Sequence, residues 1–435
     1  MEISVSLILI ILVTLLYSNP LGYYHGFSKV SVIMIDTPHL DSPHMHDLRK
    51  LFPAAPYAYF VISHINDTKQ KFLSGEVENP TFSYHKFYSK ELLEKRRAQL
   101  QRFAERKLGI EENDFVSRRL TETALLLAAK SVQEDPSDVG ALNRLRDLNY
   151  SLYGRPEASI TNAILQLAKK EAANSERKQL LWDEVVSLLA LKLPSSNDTA
   201  EPSHEVFMHY KRLFYDYAPW LLKSSDDLPQ DSLGLTEFAL SQIGAESKGW
   251  RGAWSEKGMT ARVSYEHKRV FIGHSYKPLS LSSLKQTVVH EVYGHVNRHV
   301  RSDGNFFETA EAEGFGVFLE QLLQTRFSHK RTLRYLAIAL GWGTIGRART
   351  FREVYEVLWR CAALIGGGSL ESAKKKAFTE CVRAFRGGNP VVPGAVFTKD
   401  ILYHSGNVRV WKHMESRLRT YEEFVKILEG KEHAV

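Results

Sequence analysis

Two histidines five positions apart constrain this chain more than any other feature. They stand in His290-Glu291-Val292-Tyr293-Gly294-His295, within residues 279–320, and the carboxylates Glu308, Glu311 and Glu313 follow. Zinc accepts neutral imidazole and carboxylate, and a catalytic zinc takes three protein ligands and leaves one position open. A Glu directly after the first ligand His is the general base of the pattern His-Glu-x-x-His; Glu291 has that place here. The spacing is one residue longer. On an α-helix residues four apart share a face, whereas residues five apart sit roughly 140° from each other. Both imidazoles reach one ion only if the helix ends, loosens or bulges between them. Gly294, immediately before His295, makes a backbone departure cheap.

The flanking text supports two helices. Ser283 and Gln286 make a capping-box pair, and Leu281, Leu284, Val288, Val292 and Val296 recur at helical spacing. After the turn Arg301-Ser302-Asp303-Gly304-Asn305, a second helix has Phe315, Phe318, Leu319, Leu322 and Leu323 as its core side. Gly314 and Gly316 cost that helix about 1 kcal/mol each relative to Ala, which close approach of the two helices would justify. A bland reading stands beside the metal one: two satisfied core histidines and a carboxylate at a helix N-terminus. The same string also occurs earlier, as His204-Glu205-Val206-Phe207-Met208-His209. That copy follows the helix-start signal Pro202-Ser203 and has no Glu-Gly at a comparable distance. It reads as an ordinary amphipathic helix.

His290-Glu291-Val292-Tyr293-Gly294-His295 followed by Glu313-Gly314 resembles the family that includes the microtubule-associated tyrosine carboxypeptidases. Its bacterial members are labelled flavohemoglobin-expression-modulating proteins with a Gln-Glu-Gly-Leu-Ala motif. Asn79-Pro80-Thr81-Phe82-Ser83-Tyr84, Tyr153-Gly154-Arg155-Pro156, Phe385-Arg386-Gly387 and Lys399-Asp400-Ile401-Leu402-Tyr403-His404-Ser405-Gly406 resemble other motifs of the family, in matching order over residues 79–428. The chain departs from the family's pattern at Ala312, where Gln or Glu is usual, at Phe315-Gly316, where Leu-Ala is usual, and at Val-Tyr-Gly between the histidines. None of these removes a ligand. The resemblance implies Zn2+ as cofactor, with His290, His295 and Glu313 as ligands and Glu291 as catalytic base. Glu308 and Glu311 are rival third ligands, and Glu313 is preferred for its Gly partner in the family motif.

The activity implied is a zinc metallo-carboxypeptidase that hydrolyses a C-terminal aromatic residue, tyrosine above all, from a peptide or protein tail. An acidic tail such as that of tubulin suits the net charge of +7. The rival readings are a zinc endopeptidase and a non-catalytic metal-binding regulatory protein. A carboxypeptidase must hold a terminal carboxylate, onto which a guanidinium forks well. Arg383 and Arg386 are substrate-binding candidates, with Lys399 and Tyr403 as companions; surface arginines and a packed Tyr are the plain alternative.

The 435 residues are 43% hydrophobic and 25% charged, the balance of a soluble globular protein. Cys361 and Cys381 fall in helix-like text and imply no disulfide framework. No nucleic-acid motif is present. Residues 3–16 are almost wholly apolar, the length of a signal-peptide core and short for a membrane span. Yet Glu2 stands where a positive charge belongs, and Tyr17-Ser18-Asn19-Pro20 offers no small-x-small cleavage site. A signal peptide, an anchor and an extension stay open, and with them a cytoplasmic, membrane-anchored or exported address.

The expected organisation is an apolar leader over 1–20, a mixed segment over 21–78, a helical part over 79–225 and a zinc-binding catalytic part over 226–435. In the mixed segment, residues 30–35 and 57–62 read as strands or buried turns, and His39, His44 and His46 lie in loop text. Residues 260–274 read as a hairpin whose exposed edge either pairs with a substrate backbone or only packs the metal helix. The fold expected is α+β, mainly α, a zincin-like metallopeptidase with two metal-ligand helices and a small β-sheet.

Overall fold

The computed structural model describes residues 60, 62–84, 89–106, 108–190, 201–255, 261–265, 267–273, 280–302, 309–325, 327–328, 331–366 and 368–433. The leader, the segment 30–35, most of 57–62, the histidines at 39, 44 and 46, Glu308 and His274 lie outside the described residues. Ile62 makes an isolated bridge with Tyr84. Among the described residues no helix is long and apolar enough to cross a membrane.

Among the described residues the chain is mainly helical with one small sheet, as the α+β reading expects. The first helices are α1 (Ile65–Leu73), α2 (Lys90–Ala104), α3 (Ile110–Glu134), α4 (Val139–Tyr153), α5 (Ala158–Ala172) and α6 (Glu176–Leu189). Then come α7 (His204–Tyr217), α8 (Ser232–Gln242) and the strands β1 (Arg251–Ser255), β2 (Ala261–Ser264) and β3 (Arg269–Gly273). The predicted hairpin forms, with Ala261 opposite Ile272 and Val263 opposite Val270. β1 adds in parallel to the other side of β3, so β3 is central and β1 and β2 are edges.

The remaining elements carry the site. They are α9 (Leu281–Val288), a π-helix (Val289–Asn297), α10 (Arg298–Arg301), α11 (Thr309–Leu322), α12 (Thr332–Trp342), α13 (Phe351–Gly366), α14 (Leu370–Phe385), α15 (Ile401–Ser416) and α16 (Tyr421–Leu428). Two large apolar cores organise them. One joins α5 and α6 to α12, α13 and α14, with Phe351, Phe378 and Phe385 inside it. The other packs α7, α8 and β3 against the π-helix, α11 and α16, with Phe318 at its heart. α15 belongs to both, giving Ile401 and Val408 to the first and Val410, Trp411 and Met414 to the second. A fully buried side chain of that size contributes about 1.5–3 kcal/mol, so α15 is fixed at both ends.

Candidate metal centre

Local sequence sets where the metal helix begins. Ser280 has the extended backbone a cap requires, and its hydroxyl accepts the N–H of Ser283. The predicted capping pair, Ser283 with Gln286, therefore falls inside α9, and Gln286 donates instead to the Ser282 hydroxyl. From Val289 to Asn297 the backbone then winds as a π-helix. Its bonds run from i to i+5, so the fifth residue comes round close to the first, and such turns are frequent at functional sites. The centroids of the His290 and His295 rings are 5.2 Å apart.

The loosening is spread over nine residues and is not a break at Gly294. Packing holds it. Tyr293 accepts a 2.7 Å hydrogen bond from the Trp220 indole and is met edge-on by Phe214 and Tyr217. Asn297 donates to the Leu428 carbonyl at 2.8 Å and to the Tyr217 hydroxyl at 3.2 Å. Each such bond contributes about 1 kcal/mol net, and each aromatic pair about 0.5–1.5 kcal/mol. Those contacts offset what the unusual winding costs.

The glycines bring α11, which carries Glu313, close to the π-helix. A Cβ on Gly294 would lie 2.9 Å from Cα of Gly316, and one on Gly316 would lie 2.7 Å from the His290 imidazole. On the other side of α11, a Cβ on Gly314 would lie 2.1 Å from the backbone of Gly406 in α15. Asn407 seals that contact by donating to the Gly314 carbonyl and to Gln321, which also accepts from the Trp411 indole at 2.7 Å.

This packing assembles His290, His295 and Glu313, whose donor atoms lie within 4.8 Å of one another. Oε2 of Glu313 is 3.3 Å from Nε2 of His290 and 3.7 Å from Nε2 of His295. Donors around a tetrahedral zinc with bonds near 2.0–2.1 Å are about 3.3–3.4 Å apart. The three side chains thus form a group able to hold a metal ion, and two imidazoles with one carboxylate are a donor set found at catalytic zinc. Among the described residues, no other cluster of His, Cys, Asp and Glu has this geometry.

The surrounding carboxylates favour positive charge at His290. Burial alone pulls the His290 imidazole down, yet Glu313 and Glu320 reverse this and push it up to about 10. Burial alone raises the Glu313 carboxyl, yet His290 and His295 bring it well below the ordinary range. Glu291 differs. Its burial raises the carboxyl, and the pull of the two histidines does not cancel that rise. One carboxyl is therefore held ionised by the two imidazoles, while burial leaves its neighbour readier to keep a proton.

The rival Glu311 is engaged elsewhere. It is fully buried against the Arg298 guanidinium at 2.7 Å and lies 3.2 Å from Nδ1 of His433. The earlier copy of the motif is an ordinary helix: Ser203 caps α7, and Nε2 of His209 bonds the Arg419 carbonyl at 2.8 Å. Of the four substrate-binding candidates, Tyr403 reaches the site, its ring stacked 6.4 Å from that of His290. Arg383 and Arg386 face Asp400 at 3.6 and 3.0 Å, and Lys399 adds its charge to the same carboxylate.

Sequence reasoning missed Glu320. It lies two helical turns beyond Glu313, and its Oε1 is 2.8 Å from Nδ1 of His290, both side chains being buried. A ligand His commonly gives its second nitrogen to a carboxylate, which fixes the ring. The seven-residue interval from Glu313 was the signal available.

The residues assembled here fall inside a stretch that matches a known family. Residues 255–433 match the family model for microtubule-associated tyrosine carboxypeptidase. This part of the chain is related to that family. The match covers the π-helix, α11 with Glu313 and Glu320, and α15, and begins downstream of the Asn79 and Tyr153 motifs. No curated protein and no solved structure matches the chain.

Proposed function

We propose that the chain is a zinc metallo-carboxypeptidase that removes a C-terminal aromatic residue, with tyrosine favoured, from peptide or protein tails, and that its site is zincin-like. The observation that carries this reading is the pairing of His290, His295 and Glu313 around one position, within the stretch related to a tyrosine carboxypeptidase family. His290 and His295 would hold the ion through Nε2, and Glu313 through Oε2. When bound, zinc supplies Lewis acidity to the scissile carbonyl and to a water.

The rest of the chemistry belongs to the protein. Glu291, half-buried and with its carboxyl raised, takes the proton of the attacking water and passes it to the leaving amine. Glu320 stands behind the His290 ring, 2.8 Å from Nδ1, close enough to steady it. Tyr403, stacked beside His290, lines the place where the terminal residue lies. An acidic protein tail, tubulin's among them, is the natural partner for a chain of net charge +7.

Metal analysis of the wild type, His290→Ala and Glu313→Ala tests the site, with zinc retained by the first and lost by both variants. Mass spectrometry of peptides ending in tyrosine, phenylalanine or glutamate tests the reaction, which should be fastest for tyrosine. Cleavage of peptides with blocked C-termini would favour an endopeptidase instead.

A further inference from the structure

We propose that the N-terminus of α12, with Arg331 and Thr332, is the receptor for the terminal carboxylate of the substrate. The inference rests on the carboxypeptidase reading and names the part of the site that would enforce it.

The arginines near the site divide by how they are engaged. Arg334 spans Glu380 at 2.8 Å and Asp400 at 3.5 Å. Arg383 and Arg386 face Asp400. Arg331 is different. Its Nη2 is 3.4 Å from Glu320, a carboxylate already in contact with His290, and its Nε is buried with no hydrogen-bond partner. Its guanidinium lies over the Tyr403 ring, 5.5 Å from the centroid, and the same ring stacks beside His290. Only the 2.8 and 3.4 Å steps through Glu320 separate Arg331 from the imidazole. The terminal carboxylate of a substrate is one residue from the scissile carbonyl, and consecutive Cα atoms are about 3.8 Å apart. A receptor one carboxylate removed from His290 lies in the neighbourhood that this reach requires.

Three further observations bear on the same place. Among the described residues no side chain caps α12, whose N-cap residue is Arg331 itself. An open helix N-terminus presents N–H groups and the positive end of the dipole. Thr332, the first helical residue, is 2% exposed, and its buried hydroxyl has no hydrogen-bond partner. Buried polar groups are nearly always satisfied, so an exception needs a reason. Arg331 also holds a left-handed backbone, with φ of 63°, a conformation that costs an ordinary residue energy and clusters at ligand clamps. A carboxylate here would take the fork of Arg331, the Thr332 hydroxyl and the first-turn N–H groups together.

The test is titration calorimetry of N-acetyl-tyrosine and its carboxamide against full-length protein, zinc-loaded and chelator-treated. The acid should bind at least about tenfold more tightly than the amide, the scale of a charge-assisted pair, with and without zinc. Arg331→Ala should abolish that preference, Thr332→Val should weaken it, and Arg331→Lys should keep part of it. Circular dichroism checks that each variant folds. Equal binding of acid and amide by the wild type overturns the proposal. So does a preference that survives Arg331→Ala, or one present only with zinc, since the carboxylate would then sit on the metal. Release of tyrosine from a peptide by the same preparation reports separately on the parent reading. A protein that prefers the acid yet releases nothing has the receptor without the reaction.

Discussion

A carboxyl raised by its burial but kept beside two imidazoles, as Glu291 is, can take a proton without leaving the site. Glu291→Gln keeps the shape and removes the base, so kcat should fall by roughly 10²–10⁴-fold while metal content stays at the wild-type level. Loss of the metal along with the activity would make Glu291 a ligand instead of a base. Glu320 makes the complementary case. Glu320→Gln should lower zinc affinity by roughly 10–100-fold, as removal of a ligand's outer partner does, measured by competition with a chelator. Unchanged affinity would leave its 2.8 Å contact with His290 as packing alone. At this scale the sequence was readable where chemistry dictates a residue type. Two imidazoles and an adjoining Glu announce themselves, and Glu313 needed the Gly beside it. Glu320 and Arg331 were illegible because a carboxylate or guanidinium in a helical text has a solvated face as its ordinary fate. Only the fold turns these two toward His290.

The interval of five residues already demanded a departure from α-helix, and the structure supplies one as a nine-residue π-helix. Its length could not be read in advance, since Tyr293 and Asn297 are held by Trp220, Tyr217 and Leu428, all distant in sequence. Gly294 looked like a hinge because it precedes His295; its missing side chain in fact makes room for Gly316. The cost of Gly314 and Gly316 to their helix did foretell a close approach, though its partner on the far side, Gly406, lies 92 positions from Gly314 in the chain. This seam is testable. A Cβ on Gly406 would stand 2.0 Å from the Ala310 carbonyl oxygen, which no rotamer relieves. Gly406→Ala should therefore push α15 from α11 and destabilise the fold by about 1–3 kcal/mol, seen as a lower Tm. Gly316→Ala should instead displace the His290 ring and weaken zinc binding. If both variants melt and bind zinc like the wild type, the seam is looser than these distances require.

At the scale of the molecule, what matters is how the two cores are tied together, and α15 is the tie. Its N-cap residue Asp400 is gripped by Arg386 at 3.0 Å, by Arg334 of α12 at 3.5 Å and by Arg383 of α14 at 3.6 Å. Helix content, the hairpin and the order of elements were visible in periodicity and turn residues. This convergence was not, because three guanidiniums meeting one carboxylate is a property of packing. It leaves a signature in acid. Burial alone would raise the Asp400 carboxyl, but Arg386, Arg334 and Arg383 outweigh it and lower it from 3.8 to about 2. The folded state thus holds this proton less readily than the unfolded chain. Its ionised form stabilises the fold by about 2 kcal/mol above pH 4, and that contribution drains away as pH falls from 3.8 toward 2. Asp400→Asn removes the charge at every pH, so the variant should be weaker than wild type at pH 7 by that amount or more, since uncompensated guanidiniums stay buried. Denaturant midpoints for both proteins should differ most at neutral pH and converge as the pH is lowered from 4 to 3. A gap of constant size across that range would mean that the three arginines do not hold Asp400 ionised, and that α15 is anchored by its apolar face alone.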